Sequence, residues 1–180
     1  MNPIGIISKY YEPDSKAYNL LVTHSRQVAD KALAIAANLP DHNLDMGFLK
    51  EASMLHDIGI FLTDAPGLGC NGRHPYLLHG LLGRRLLEKE DLPRHALVCE
   101  RHVGVGISKK DVLNRGLPLP PRDMLPLSLD EKIICYADKF YSKNGTMPPR
   151  EKSLDDVVDG IQNYGSDQVD RFLNWHGMFS

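Results

Sequence analysis

Cysteine is scarce in this chain, and the three present, Cys70, Cys99 and Cys135, form neither an even set nor a CxxC pair. That excludes a disulfide framework and a thiolate zinc knuckle, and it reads as reduced thiols of a cytoplasmic protein. No apolar run reaches the 18 residues that a membrane helix needs, and the first residues lack the apolar core of a signal peptide. A basic excess is missing too. Lys and Arg number 21 against 23 Asp and Glu, for a net charge of −2, and no basic run exceeds two residues. This is not the footprint of a nucleic-acid-binding surface, although it leaves room for a local basic pocket. There is also no internal repeat, no low-complexity tract and no stretch with the alternation of a strand. What remains is 180 residues at 42% apolar and 24% charged, enough for a hydrophobic core and suited to one soluble domain.

The helical pattern begins with a short segment from Ile4 to Tyr11, ended by Pro13. Ser15 then caps a long helix to about Leu39, whose apolar stripe is Ala17, Leu20, Leu21, Val28, Ala32, Ile35 and Ala36. His24 lies inside that stripe; taken by itself it reads as a core histidine bonded to a carbonyl. After a turn at residues 40–43, a helix through Phe48 and Leu49 ends in Leu55-His56-Asp57-Ile58-Gly59, with His56 on its inward face. Residues 58–74, with Pro66 and four glycines, read as a long loop. Pro75 is the expected first position of the next helix, which carries His79 inward and uses Gly80 and Gly83 for close packing. Another helix opens at Pro93 and brings His102 inward, with His95 nearer its exposed start.

Ser108 with Asp111 forms a capping box for a short helix closed by Gly116, and the prolines between 117 and 126 impose an extended segment. Ser128 with Glu131 caps a helix of Ile133, Ile134, Ala137, Asp138 and Tyr141, in which Asp138 is a poor core residue unless something binds it. Residues 145–149 read as a loop. Ser153 with Asp156 starts a further helix, and Ser166 caps the last, with Val169, Phe172, Leu173 and Trp175 inward. The expected fold is all-α, a compact array of about seven to nine helices.

His24, His56, Asp57, His79, His102 and Asp138 thus all fall on inward faces. His56 to His79 and His79 to His102 are each 23 residues apart, about one helix and one loop. Nitrogen and oxygen donors without a thiolate suit Fe, Mn, Zn, Co or Ni, and six ligands fit two ions bridged by a carboxylate better than one tetrahedral ion. His42, His95 and His176 are expected not to be ligands.

The order His…His-Asp…His…His…Asp, with its pivot His56-Asp57-Ile58-Gly59, resembles the HD-domain superfamily, in particular its HDIG-type members with a two-metal site. Tyr136-Ala137-Asp138-Lys139 looks like that family's closing aspartate segment, and His79-Gly80-Leu81-Leu82-Gly83-Arg84-Arg85-Leu86-Leu87 looks like its first extra-histidine helix. The resemblance implies a single HD-type domain over 1–180, with a metal-site core at about 17–143 and C-terminal helices at about 150–180. It further implies that His24, His56, Asp57 and Asp138 bind the first metal, and that Asp57 bridges to a second completed by His79 and His102. Arg101-His102-Val103-Gly104-Val105-Gly106 lacks the Gly-Tyr-Pro signature of the cyclic-dinucleotide branch, and residues 58–62 lack the Glu-Asp pair of guanosine-polyphosphate hydrolases.

The activity so implied is a metal-dependent phosphohydrolase using one or two divalent transition-metal ions on a small phosphate ester or nucleotide, with Asp57, Lys139 and Arg101 as catalytic candidates. Arg73, His74, Arg84 and Arg85 are further candidates for phosphate contacts. Relatives with the same ligand order that are di-iron oxygenases, cleaving C–C or C–P bonds, supply an alternative; a metal-stabilised sensing module without turnover is another.

Overall fold

A computed structural model describes residues 1–143 and 150–180, so the expected loop at 145–149 lies outside the described residues. Nine α-helices are formed among them: α1 (Pro3–Ile7), α2 (Lys16–Ala37), α3 (Met46–Leu55), α4 (His79–Lys89), α5 (Pro93–Arg101), α6 (Lys109–Arg115), α7 (Leu129–Asp138), α8 (Leu154–Gln162) and α9 (Ser166–Phe179). The fold is all-α, as the helical periodicity requires.

Most helix starts obey the side-chain caps written in the sequence. Ser15 accepts from the Tyr18 amide, Asp45 from Phe48 and Ser128 from Glu131, while Ser108 with Asp111 and Ser153 with Asp156 close full capping boxes. Gly116 ends α6 in the left-handed region at φ 59°. Several boundaries differ from expectation, and α7 ends at Asp138 without reaching Tyr141. The first helix stops at Ile7, because residues 8–11 turn so that the Tyr11 hydroxyl can donate to the Ile58 carbonyl at 2.8 Å. A 3-10 turn at Tyr76–Leu78 precedes α4, so the helix begins at His79 and not at Pro75. Ser166 is already inside α9; its N-cap is Gly165, with no side-chain bond. The loop after His56 contains two 3-10 turns and a two-residue antiparallel pair, β1 (Asp64–Ala65) with β2 (Cys70–Asn71), too short to leave an alternating signature.

Two apolar clusters hold the array. One joins α2, α3, α7, α8 and α9 around Val28, Leu49, Ile133, Tyr136 and Phe172; the other joins α1, α2, α3, α4 and α5 around Ile7, Leu21, Leu55, Ile58 and Leu87. All seven residues of the expected α2 stripe are buried. On α9, Phe172, Trp175 and Phe179 are buried as well, with Tyr136 of α7 stacked on Phe172 at 5.0 Å; Leu173, expected inward, is 42% exposed. These contacts fasten the C-terminal helix to the one that ends in Asp138.

Glycines set how closely α4 can approach. A Cβ on Gly59 would lie 2.2 Å from the His79 carbonyl oxygen and 2.5 Å from the Gly83 nitrogen; one on Gly83 would lie 2.2 Å from Cys99 Sγ. Both neighbours of Gly59 are backbone atoms, which cannot swing aside. Gly59→Ala is therefore expected to destabilise the protein by about 1–3 kcal/mol, the range of overpacking in a tight core. Urea unfolding measures this, and a loss below about 0.5 kcal/mol would refute the close approach.

Candidate metal centre

Helix ends build the site. His56 is the C-cap of α3, with Asp57 next to it; His102 is the C-cap of α5; Asp138 is the last residue of α7; His79 is the first of α4. Only His24 comes from a helix interior, on α2. All six side chains are buried, and each sequence-derived candidate ligand reaches the same small volume.

Asp57 sits at its centre. Oδ2 lies 3.3 Å from His24 Nε2 and 3.2 Å from His56 Nε2, and Oδ1 lies 3.3 Å from both His79 Nε2 and His102 Nε2. Asp138 Oδ1 closes the first side, 2.9 Å from His24 Nε2 and 3.3 Å from His56 Nε2. The carboxylate thus divides the donors into two sets, His24, His56, Asp57 and Asp138 on one side, Asp57, His79 and His102 on the other. Within each set the donor atoms lie within 4.8 Å of one another.

Backbone carbonyls orient three of the four imidazoles. His56 Nδ1 donates to the Ser53 carbonyl at 2.6 Å, His79 Nδ1 to Tyr76 at 2.7 Å and His102 Nδ1 to Cys99 at 2.7 Å. A carbonyl oxygen can only accept, so these contacts place a proton on Nδ1 of each ring and turn Nε2 inward, as a free lone pair wherever the ring is neutral. His79 and His102 then face each other Nε2 to Nε2 at 3.1 Å, with Asp57 Oδ1 close to both. Burial holds both rings neutral, pulling His79 down to about 3 and His102 in the same direction. Three acceptor atoms, Asp57 Oδ1 and the two Nε2 atoms, crowd one point with no proton among them, and the nearest ammonium, that of Lys143, reaches Oδ2 on the other side. Such an arrangement fits a cation. On the other side, burial opposes a charge on His56, but Asp57 and Asp138 outweigh it and raise its pKa to about 9.

Lysines add charge at the rim. Lys139 Nζ lies 2.7 Å from Asp138 Oδ2 and donates to the His102 carbonyl at 3.2 Å. Lys143 went unnoticed in the sequence, yet its Nζ lies 2.6 Å from Asp57 Oδ2 and 3.7 Å from Asp138 Oδ1. It follows the end of α7, where helical spacing gives no direction for a side chain. Both lysines line a cavity of about 590 Å³ that opens from His79, His102 and Asp138, and a second recess of about 490 Å³ beside it. The buried cysteines have a structural task at the same helix ends. Cys99 Sγ donates to the His56 carbonyl at 2.9 Å and Cys135 Sγ to the His102 carbonyl at 3.3 Å.

Arg101 is not brought to the centre. Its guanidinium is held by both oxygens of Glu131 at 2.8 and 3.0 Å, and it lines neither recess, because it leaves α5 about 100° around from His102. Arg84 is likewise engaged by Glu88 and Glu100, while Arg73, His74 and Arg85 are exposed and outside both linings. Among the histidines expected not to be ligands, His42 is exposed and His176 Nδ1 pairs with the Tyr136 hydroxyl. His95 is buried, against expectation, edge-on to the Phe48 ring at 4.9 Å. None of the three belongs to either donor set.

Comparison with known proteins agrees with this geometry. The HD domain family model matches residues 21–142. An uncharacterised protein of Methanocaldococcus jannaschii is 32% identical over 141 residues, which is 77% of this chain and 73% of that protein. A Thermoplasma volcanium protein named tRNA (cytidine(56)-2'-O)-methyltransferase is 27% identical over 178 residues, 98% of this chain but 46% of its own length. A Picrophilus torridus protein of the same name is 28% identical over 148 residues, 82% and 37% respectively, so the chain spans less than half of either. Among solved structures, the HD domain of the L. monocytogenes phosphodiesterase PgpH gives a TM-score of 0.52 at 14% identity, over 94% of this chain and 100% of that one, a likeness of fold. The matched segment runs from before His24 to beyond Asp138 and contains all six buried donors, and the chain belongs to the HD domain family.

Proposed function

We propose that this protein is a metal-dependent phosphohydrolase acting on a small phosphate ester or nucleotide through a dinuclear site. The observation that carries the reading is the division of the Asp57 carboxylate between two donor sets, at the edge of a cavity supplied with lysines. His24, His56, Asp57 and Asp138 would hold the first ion and Asp57, His79 and His102 the second. A pair of divalent transition-metal ions supplies Lewis acidity toward phosphoryl oxygens and lowers the pKa of a water.

The chain's own residues do the rest. Carbonyl bonds to Nδ1 keep His56, His79 and His102 aimed with Nε2 inward, so the rings are held in place to bind the ions. Lys139 and Lys143 face the cavity and would bind phosphoryl oxygens and offset the charge that develops on them. Water oxygen forms the new bond to phosphorus and the ester P–O bond breaks. The water gives up one proton, the departing alcohol oxygen takes one, and inorganic phosphate is released.

The cationic rim favours an anionic substrate and so weighs against oxidation of a neutral one; a phosphonate is anionic as well, and its oxidative cleavage is told apart by oxygen uptake. Metal analysis of protein purified without added metal, followed by a phosphate-release screen on that sample, tests the assignment. Two ions per chain with phosphate release support it. Iron with oxygen uptake and no phosphate release would replace it with oxygenation, and bound metal with neither turnover would leave a sensing module.

Asp57 and His79 separate the two positions. Asp57→Ala removes a charge and a contact from both donor sets, and is expected to lose both ions and all phosphate release. His79→Ala takes one neutral donor from the second set, and is expected to retain the first ion and weak activity. Metal stoichiometry, circular dichroism and turnover on the two variants are the readouts; equal loss of both ions in His79→Ala would show that the sites form as a unit.

Proton competition gives the two ions different pH dependences. The pKa of His56 is raised above its ordinary 6.5 to about 9, so between these values the ring is protonated without metal, and the first ion must displace that proton. Affinity for the first ion is expected to rise about tenfold per pH unit from 7 to 8, while the second, on neutral His79 and His102, changes little. Competition titrations at pH 7 and 8 measure both slopes. A flat first-ion affinity would contradict the charged His56.

A further inference from the structure

The cavity beside the donors extends well past what a phosphate group needs, and one of its walls comes from outside the family match. Val157, Gly160 and Ile161 of α8, Tyr164 between the helices and Gln168 of α9 all line it, whereas the matched segment ends at residue 142. This wall is fixed in place. Gln168 is buried and accepts from the Val105 amide at 3.4 Å, and Arg171 donates to the Val105 and Gly106 carbonyls at 2.7 and 3.2 Å. Those bonds tie α9 to the segment carrying Val103, Val105 and Ile107, which lines the same cavity.

The two parts of the cavity differ in chemistry. Near the donors stand Lys139 and Lys143, with the Tyr76 ring stacked on His79 at 4.7 Å. Farther along, valine and isoleucine side chains from both segments contribute apolar faces, with Lys152 and Asp156 also in the lining and the Arg115 guanidinium 5.6 Å from the Tyr164 ring centre. A volume of about 590 Å³ is that of a pocket for a whole small molecule, typically roughly 300–1,000 Å³. Free phosphate or a two-carbon ester would leave the apolar part filled only by water. A planar ring suits apolar faces, and the neighbouring aromatic and guanidinium groups are those that stack on bases.

We propose that α8 and α9 form a specificity wall that receives the planar heteroaromatic ring of a nucleoside monophosphate, while its phosphate lies at the lysines and donors. The phosphate end rests on the phosphohydrolase reading; the ring end rests on the wall alone.

Gly160 offers the test, because it lines the cavity from a helix and a Cβ built on it meets no atom within 4 Å. Gly160→Phe therefore places a ring at the wall without a backbone clash, and Gly160→Ala controls for the change in helix propensity. Calorimetric titration of the Mn²⁺-loaded full chain would compare three non-hydrolysable probes: the methylene phosphonate analogue of AMP, methylphosphonate and octylphosphonate. The wild type is expected to bind the AMP analogue at least tenfold more tightly than methylphosphonate. Gly160→Phe is expected to remove that preference and Gly160→Ala to keep most of it, with circular dichroism showing the helices retained.

Equal affinity of the wild type for the AMP analogue and methylphosphonate, or an unchanged preference in Gly160→Phe, would overturn the proposal. Tighter binding of octylphosphonate than of the AMP analogue would overturn it in favour of an aliphatic chain. Phosphate release from AMP is scored separately: a ring preference without release keeps the wall and removes only the hydrolase reading.

Discussion

An ionised carboxylate cannot stay buried without a positive charge beside it, and Asp57 is fully buried among four imidazole nitrogens with one ammonium, that of Lys143, 2.6 Å from Oδ2. Everything around it answers that constraint. The fold could have relieved it with an arginine fork, but it surrounds the carboxylate with imidazoles, three of which have their protons assigned to backbone carbonyls on the far side of the ring. The result is a set of Nε2 atoms aimed at two points on either side of one carboxylate. Lys143 and a protonated His56 offset the charge on the first side. On the second, neutral His79 and His102 offer nothing but acceptors, and there the demand for a cation is greatest.

The scaffold serves this geometry by ending helices where donors are needed. Terminal carbonyls of a helix have no partner within it, so three-residue contacts from imidazole nitrogens at two C-caps satisfy them while orienting the rings. Buried thiols and Lys139 take up the remaining carbonyls at His56 and His102. Gly59 and Gly83 then allow α4, and with it His79, to approach α3 and α5 closely enough to complete the second set. The C-terminal helices belong to the same construction: α9 packs on α7 through Tyr136 and Phe172, and its tie to Val105 makes one side of the cavity.

Much of this was legible because burial follows periodicity. The α2 stripe, the capping boxes at Ser108 and Ser153, and the inward aim of His56, His79, His102 and Asp138 all follow from helical spacing, which fixes direction as well as structure. Where the spacing stops, so does the reading. Lys143 follows the end of α7, and nothing in Phe140-Tyr141-Ser142-Lys143 announces that its ammonium reaches Asp57. Arg101, next to His102 in sequence, is carried away from the centre: one residue along a helix is a turn of about 100°, and Glu131 holds its side chain instead. The two-residue strands after His56 and the 3-10 turn before His79 are set by tertiary packing, and segments so short carry no period. His95, assigned to an exposed helix start, is buried because Phe48 of a neighbouring helix covers it.

The central proposal is that one carboxylate serves two metal ions. Anomalous diffraction from crystals of the Mn²⁺-loaded protein, collected at the metal's absorption edge, tests it most directly. The account predicts two peaks on opposite sides of Asp57, one within about 2.0–2.3 Å of donor atoms from His24, His56, Asp57 and Asp138, the other at the same range from Asp57, His79 and His102. A single peak on the His24 side, with His79 and His102 still facing each other without metal between them, would contradict it.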